Sequence, residues 1–196
     1  MELQKILELY TDQVDADDIS ALSSVCGSKT YSKGEHIIAQ GDTDDCLYLI
    51  KSGIFRVYCL IDGVEDTVCF GHTGDAFMSF HSFFRGEPSP FSCIAMSSVE
   101  VFRITSENLK SLFSQRPRLL EWYNRMLVEE LYLLERKYVY FGNKDAYSRF
   151  CTFVAARPDI MRSVPAKYIA QYLKIRQETL YRIRARYLRD NESAEL

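Results

Sequence analysis

The sequence predicts an α+β fold in three parts: an N-terminal β jelly roll, a long helix and a C-terminal helix-turn-helix. Three observations lead there. Between residues 30 and 104, short runs rich in Val, Ile, Tyr, Phe and Cys are punctuated by Gly34, Gly41, Gly53, Gly63, Gly71 and Gly74. Many short strands with no long helix between them indicate a barrel or jelly roll. From Pro117 the apolar positions repeat every seven residues, the period of a helical seam. The closing stretch "YIAQYLKIRQETLYRIRARYL" (168–188) reads as two short amphipathic helices joined by a few residues. The expected boundaries are 1–116 for the N-terminal helices and jelly roll, 117–141 for the long helix, and 142–196 for the C-terminal domain.

In chain order, Leu3, Ile6, Leu7 and Tyr10 share one helical face, and Ile19 and Leu22 repeat it. Asp15, Asp17 and Asp18 are N-cap candidates for the second of these helices. In the β region Phe55, Val57 and Cys59 alternate, and Val99, Val101 and Ile104 do so with one slip. Asp62-Gly63 between two such runs signals a two-residue hairpin. Leu120, Leu127, Leu134 and Phe141 then fall seven apart, with Asn124, Leu131 and Tyr138 interleaved. Such a stripe packs either on the chain's own barrel or on a second copy. Its narrowness, regularity and charged flanks favour a second copy, with Tyr123, Met126 and Leu133 left for the barrel. Gly142 and Asn143 are expected to end the helix. Another helix begins in "KDAYSRFCTFVAARPD", and Pro158 and Pro165 bracket a short connector.

Composition removes several function classes. No window approaches 18 consecutive apolar residues, so no membrane partner is expected. The first residues mix acids into their apolar positions and lack a small-residue cleavage site, so a cytoplasmic location is expected. The six cysteines lack any Cys-x-x-Cys pair, which leaves a zinc or iron–sulfur site without its spacing. No Ser/His/Asp arrangement, phosphate loop or HExxH motif stands out. A cupin-type enzyme would need a His/Glu constellation, and His36, His72 and His81 are not spaced as one. No catalytic residue, metal or cofactor is expected.

The positive charge is concentrated. Residues 166–189 hold seven Lys/Arg and one acid, a local +6, which leaves −9 for the rest of a chain whose formal total is −3. Ile169, Ala170 and Leu173 would form the inner face of the first helix (about 166–173). Leu180, Ile183 and Tyr187 would form that of the second (about 177–188), and Ile175 would pin the turn. The outer face then presents Gln177, Glu178, Tyr181 and Arg182. Basic groups displace counterions along phosphates, and Arg and Gln contact base edges bidentately. Charge and geometry coincide, which points to duplex DNA rather than to an ordinary solvated face. The alternative is a small-ligand sensor module acting through protein contacts.

This order of parts resembles the Crp/Fnr transcription regulators over about Tyr31 to Leu188. "YSKGEHIIAQGDTDDCLYLIKSGIFRVY" is similar to the opening of the family's cyclic-nucleotide-binding fold, with Gly34, Gly41 and Gly53 at its turns. "IRQETLYRIR" is similar to its recognition helix, with Glu178, Thr179 and Arg182 matching a Glu-Thr-x-x-Arg core. The compact ending looks most like members common in Bacteroidetes. The resemblance implies a bacterial homodimer that places two helices in successive major grooves of a palindromic operator. It implies DNA contacts from Lys167, Lys174, Arg176, Gln177, Glu178, Thr179, Tyr181, Arg182 and Arg186. It also implies dimerisation along Leu120, Asn124, Leu127, Leu131, Leu134, Tyr138 and Phe141. RNA polymerase and an unknown small effector are the further partners it brings into view.

The sequence also departs from that pattern. Nucleotide-binding members hold the ribose with a Gly-Glu pair and the cyclic phosphate with an Arg-Ser pair. Met78-Ser79 and Phe91-Ser92 fall at those positions here. A buried phosphate without a cation is disfavoured, so cyclic AMP is not expected to bind. Phe77, Met78, Ser79, Phe80, Arg85, Phe91 and Ser92 are the effector-pocket candidates. Lys174 and Arg176 replace the usual turn glycine and helix cap, so a strained or reshaped turn is expected.

Overall fold

The computed structural model describes residues 1–192. Two short helices, α1 (Leu3–Glu8) and α2 (Ala16–Val25), precede the strands. Asp15 caps α2: its carboxylate accepts from the Asp18 amide, and the Asp18 carboxylate accepts in return from the Asp15 amide. Eight strands follow: β1 (Gly27–Tyr31), β2 (His36–Ile38), β3 (Cys46–Ser52), β4 (Ile54–Ile61), β5 (Val64–His72), β6 (Ala76–Phe77), β7 (Ser92–Ala95) and β8 (Val99–Thr105). They form two antiparallel sheets, ordered β1-β8-β3-β6 and β2-β7-β4-β5. The expected Asp62-Gly63 hairpin joins β4 to β5, with Ile61 opposite Val64. Both turn residues have positive φ, 52° and 77°, which selects a short polar residue followed by glycine.

Strand β3 of the β1-β8-β3-β6 sheet is buried on both faces. Tyr48, Ile50, Val99 and Val101 point into the sandwich with Tyr31, Phe55, Val57 and Cys93. Leu47, Leu49 and Ile104 point the other way, into a second core closed by helices. This accounts for the continuous apolar run "CLYLI" in β3. It also corrects the reading of Val99, Val101 and Ile104 as one alternating face with a slip: Ile104 belongs to the opposite face.

The helical core comes from α1, α2, α4 (Ser106–Gln115) and α5 (Pro117–Asn143), centred on the fully buried Trp122. Helix α5 runs two residues past the expected end at Phe141. Tyr123 and Met126 supply the barrel contact as expected, joined by Leu119 and Trp122, whereas Leu133 stays half-exposed. The C-terminal part contains α6 (Ala146–Ala156), α7 (Pro158–Ser163), α8 (Ala166–Tyr172) and α9 (Gln177–Glu192). The connector between Pro158 and Pro165 is thus a helix. Pro158 stands in its first turn, where no amide donor is needed, and Ile160 is buried. Residues 80–85 also form a helix, α3 (Phe80–Arg85), closed by Gly86 in the left-handed conformation. No helix among the described residues is long and apolar enough to cross a membrane.

Candidate nucleic-acid interface

Helices α8 and α9 pack through Ile169, Ala170, Leu173, Leu180 and Ile183, all buried, with Ile175 and Tyr187 half-buried against them. The turn between them is a Schellman motif. The Lys174 amide donates to the Gln171 carbonyl at 3.0 Å, and the Ile175 amide donates to the Ala170 carbonyl at 3.0 Å. Lys174 occupies the left-handed position at φ 55°. The turn therefore keeps its ordinary shape with lysine where glycine is favoured, at a cost of about 1 kcal/mol.

That turn aims one face of α9 at solvent. Arg176, Gln177, Glu178, Tyr181 and Arg182 are exposed there, and Thr179 is half-buried. Gln177 Nε2 donates to Tyr181 Oη at 2.8 Å, which aligns the two side chains along the helix. Arg186 lies apart from this group. Its guanidinium stacks on the Tyr147 ring of α6, 4.0 Å from the centroid, and reaches Asp190 at 3.4 Å. Lys167 is exposed, with its ammonium 4.5 Å from the Tyr168 ring centroid.

Lys174 turns toward the jelly roll and forms an ion pair with Asp66 of β5. It belongs to a seam that joins α8 to β5. Thr67 Oγ1 donates to Gln171 Oε1 at 2.7 Å. Beneath it, Arg56 is 1% exposed. Its guanidinium lies between the Tyr58 and Tyr168 rings, 4.3 and 3.8 Å from their centroids, and pairs with Glu65 at 2.7 Å. Sequence reasoning missed this seam. Its signal was Arg56 itself, a cation inside the apolar strand "IFRVYCLI", which burial demands be partnered. The partner on α8 could not be read from spacing.

The effector-pocket candidates do not converge. Phe77 stacks against Phe55 and Phe91 inside the sandwich, at 5.2 and 5.7 Å between centroids. Met78 faces the helical core, where the Tyr123 hydroxyl lies 3.8 Å from its sulfur. Ser79 caps α3, and Ser92 Oγ accepts from the Gln40 amide at 2.9 Å. Phe80 and Arg85 are exposed, and Arg85 pairs loosely with Glu87 at 4.0 Å. Phe55, Phe77 and Phe91 thus form one aromatic group within the sandwich.

On the long helix, Leu120, Leu131, Leu134 and Tyr138 are exposed, as is Asn124, and Leu127 is half-buried. Leu131 is 63% and Tyr138 84% exposed. The Phe141 side chain lies outside the described residues.

Residues 28–116 match the cyclic nucleotide-binding domain family. The transcriptional activator protein Anr of Pseudomonas protegens is 25% identical over 186 residues, covering 89% of this chain and 76% of that protein. The nitrogen fixation regulation protein FixK of Bradyrhizobium diazoefficiens is 24% identical over 181 residues, covering 86% and 75%. Among solved structures, FixK2 from Bradyrhizobium japonicum superposes with a TM-score of 0.73 at 21% identity, over 85% of this chain and 86% of that one. CLP from Xanthomonas campestris, a regulator described as responsive to c-di-GMP, gives 0.72 at 18% identity, over 90% and 93%. These two structures share the fold.

Proposed function

We propose that this chain, which belongs to the Crp/Fnr family of transcription regulators, binds operator DNA as a homodimer with α9 in the major groove. The observation that carries the reading is the Schellman turn, which leaves Arg176, Gln177, Glu178, Tyr181 and Arg182 on one exposed surface of an otherwise acidic protein. Arg182, Gln177 and Glu178 would read base edges. Arg176, Thr179, Tyr181, Lys167 and Arg186 would contact the backbone, as would Lys174 once it leaves Asp66. The exposed apolar seam of α5 supports pairing with a second copy, because water-exposed leucines at heptad spacing gain by association. Two-fold symmetry then implies a palindromic site with half-sites about 34 Å apart. Bound there, the dimer would act on RNA polymerase in the cytoplasm, under the control of a small effector.

The test is selection of duplexes from a random pool, then anisotropy titration across salt concentrations. Wild type is expected to enrich a palindrome and to lose affinity steeply with salt. Arg182→Ala is expected to relax selectivity at one base position in each half-site, at about 1–3 kcal/mol. Salt-independent, unselective binding by wild type would return the reading to a protein-contact sensor.

A further inference from the structure

A peptide unit is a rigid plane, so it is fixed when both its N–H and its C=O are bound. The peptide that joins Leu173 to Lys174 is fixed in this way. Its amide donates to the Gln171 carbonyl at 3.0 Å. Its carbonyl, that of Leu173, accepts from Arg149 of α6, with Nη2 at 3.0 Å and Nε at 3.3 Å. The two Schellman bonds satisfy the carbonyls of Ala170 and Gln171 and leave the Leu173 carbonyl to an outside donor. Arg149 is that donor, in charge-assisted form, with two N–H groups of one planar guanidinium converging on the oxygen.

Arg149 is itself anchored. It stands near the start of α6, whose Asp145 cap accepts from the Ser148 amide at 2.8 Å. Its Nη1 donates to the Lys144 carbonyl at 2.6 Å, in the link between α5 and α6. The neighbouring side chains reach α9: Tyr147 Oη donates to Asp190, and Phe150 packs edge-on against Tyr187 at 5.5 Å between centroids. Arg149 is half-buried, unlike the exposed Arg176 and Arg182.

This grip has a particular use here. Lys174 follows the held carbonyl and sits at φ 55°. A residue with a Cβ disfavours that conformation by about fivefold or more, whereas glycine adopts it freely. The smallest motion that relieves it is a flip of the peptide plane, which rotates ψ of Leu173 and φ of Lys174 in opposite senses. The flip turns the Leu173 carbonyl away from Arg149 and the Lys174 amide away from Gln171. The turn would then no longer fix α9 against α8.

We propose that Arg149 is a positioning residue for DNA recognition: its grip on the Leu173 carbonyl locks the turn in the left-handed form that Lys174 disfavours, and so fixes the angle at which α9 is presented. The grip stands on the turn geometry alone, and its effect on recognition rests on the regulator reading. Lysine at this position is what makes the chain depend on Arg149. With glycine there, the dependence falls.

The test titrates the full chain with operator and with unrelated duplex by anisotropy across salt concentrations, alongside hydrogen exchange of the free protein. Arg149→Met keeps apolar bulk and removes the donors. It is expected to weaken operator binding about tenfold, as α9 spends less time in place. Unrelated duplex should bind nearly as before, with the salt slope unchanged, because no phosphate contact is lost. Exchange of the Lys174 and Ile175 amides should quicken about tenfold or more. In a Lys174→Gly background the loss from Arg149→Met should shrink to about twofold. Lys174→Ala removes the same ammonium but keeps the Cβ, and there the loss should stay at about tenfold. Arg149→Lys keeps the charge without the fork and should lose nearly as much as Arg149→Met. It carries the same measurements if Arg149→Met melts well below wild type. The proposal is overturned if both Arg149 variants bind operator like wild type, or if the loss is equal in the glycine and alanine backgrounds. A salt slope that falls with the loss also overturns it, by making Arg149 a phosphate contact. A wild type that binds no duplex sinks the regulator reading instead. The exchange rates then still decide the grip, and unchanged rates in both variants overturn it.

Discussion

Lys174, at the left-handed turn between α8 and α9, forms an ion pair with Asp66 on β5 of the jelly roll. The same ammonium belongs to the cationic stretch proposed to meet phosphate, where the barrel carboxylate and DNA would compete for it. Exposed pairs of this kind contribute about 0.2–1 kcal/mol, so Asp66→Asn is expected to tighten operator binding by up to about fivefold. Anisotropy titration measures this. In a Lys174→Ala background the Asp66 effect should vanish, and a persisting effect would separate the two residues.

Arg56 holds the first helix of the pair against the barrel through Tyr168. Arg56→Met keeps apolar volume but removes the charge that Glu65 and two rings share. Loss of about 2–3 kcal/mol is expected. Hydrogen exchange should show α8 opening more than the β1-β8-β3-β6 sheet. Uniform loss of protection would mean that Arg56 supports the whole sandwich instead.

Leu131 is exposed on the α5 seam. Leu131→Glu should leave the melting temperature of the folded chain nearly unchanged and shift it to monomer in sedimentation. Operator affinity should fall about tenfold or more as the second half-site is lost. A dimeric Leu131→Glu protein would move the interface elsewhere.

Glu130 faces Asp75, which raises its carboxyl pKa further, and Arg157, which lowers it, within a largely buried setting. Its folded pKa, about 7, exceeds the ordinary 4.5. The folded state therefore binds more protons between these values, and stability from this group falls as pH rises through that window. His72, raised chiefly by its hydrogen bond to Asp75, acts in the same direction: its contribution is lost as pH rises through its folded pKa. Glu130→Gln should flatten the decline between about pH 5 and 7 and raise the melting temperature at pH 8. Chemical denaturation at three pH values checks this.

Cyclic AMP should give no saturable heat in calorimetry at micromolar protein. Met78-Ser79 and Phe91-Ser92 offer neither carboxylate nor guanidinium, and Phe77, Phe91 and Phe55 occupy the interior. Saturable binding would require a cation to reach that space, and Arg85 stands exposed on α3 instead.

Much of this architecture is written in local pattern. The Asp62-Gly63 turn, the Asp15 cap, the α5 heptads and the inner faces of α8 and α9 each follow from a few neighbouring residues. Turn conformation, capping and helical periodicity are short-range properties. The helix over Pro158–Ser163 escaped because two prolines read as breaks, although proline in a first turn is compatible with a helix.

By itself the sequence determined the order of parts and the basic second helix, because each lies in contiguous residues. Tertiary structure alone decided that Lys174 faces Asp66 and that Arg56 lies under Tyr168. Those relationships join residues about 110 positions apart. They depend on which faces of β4, β5 and α8 meet.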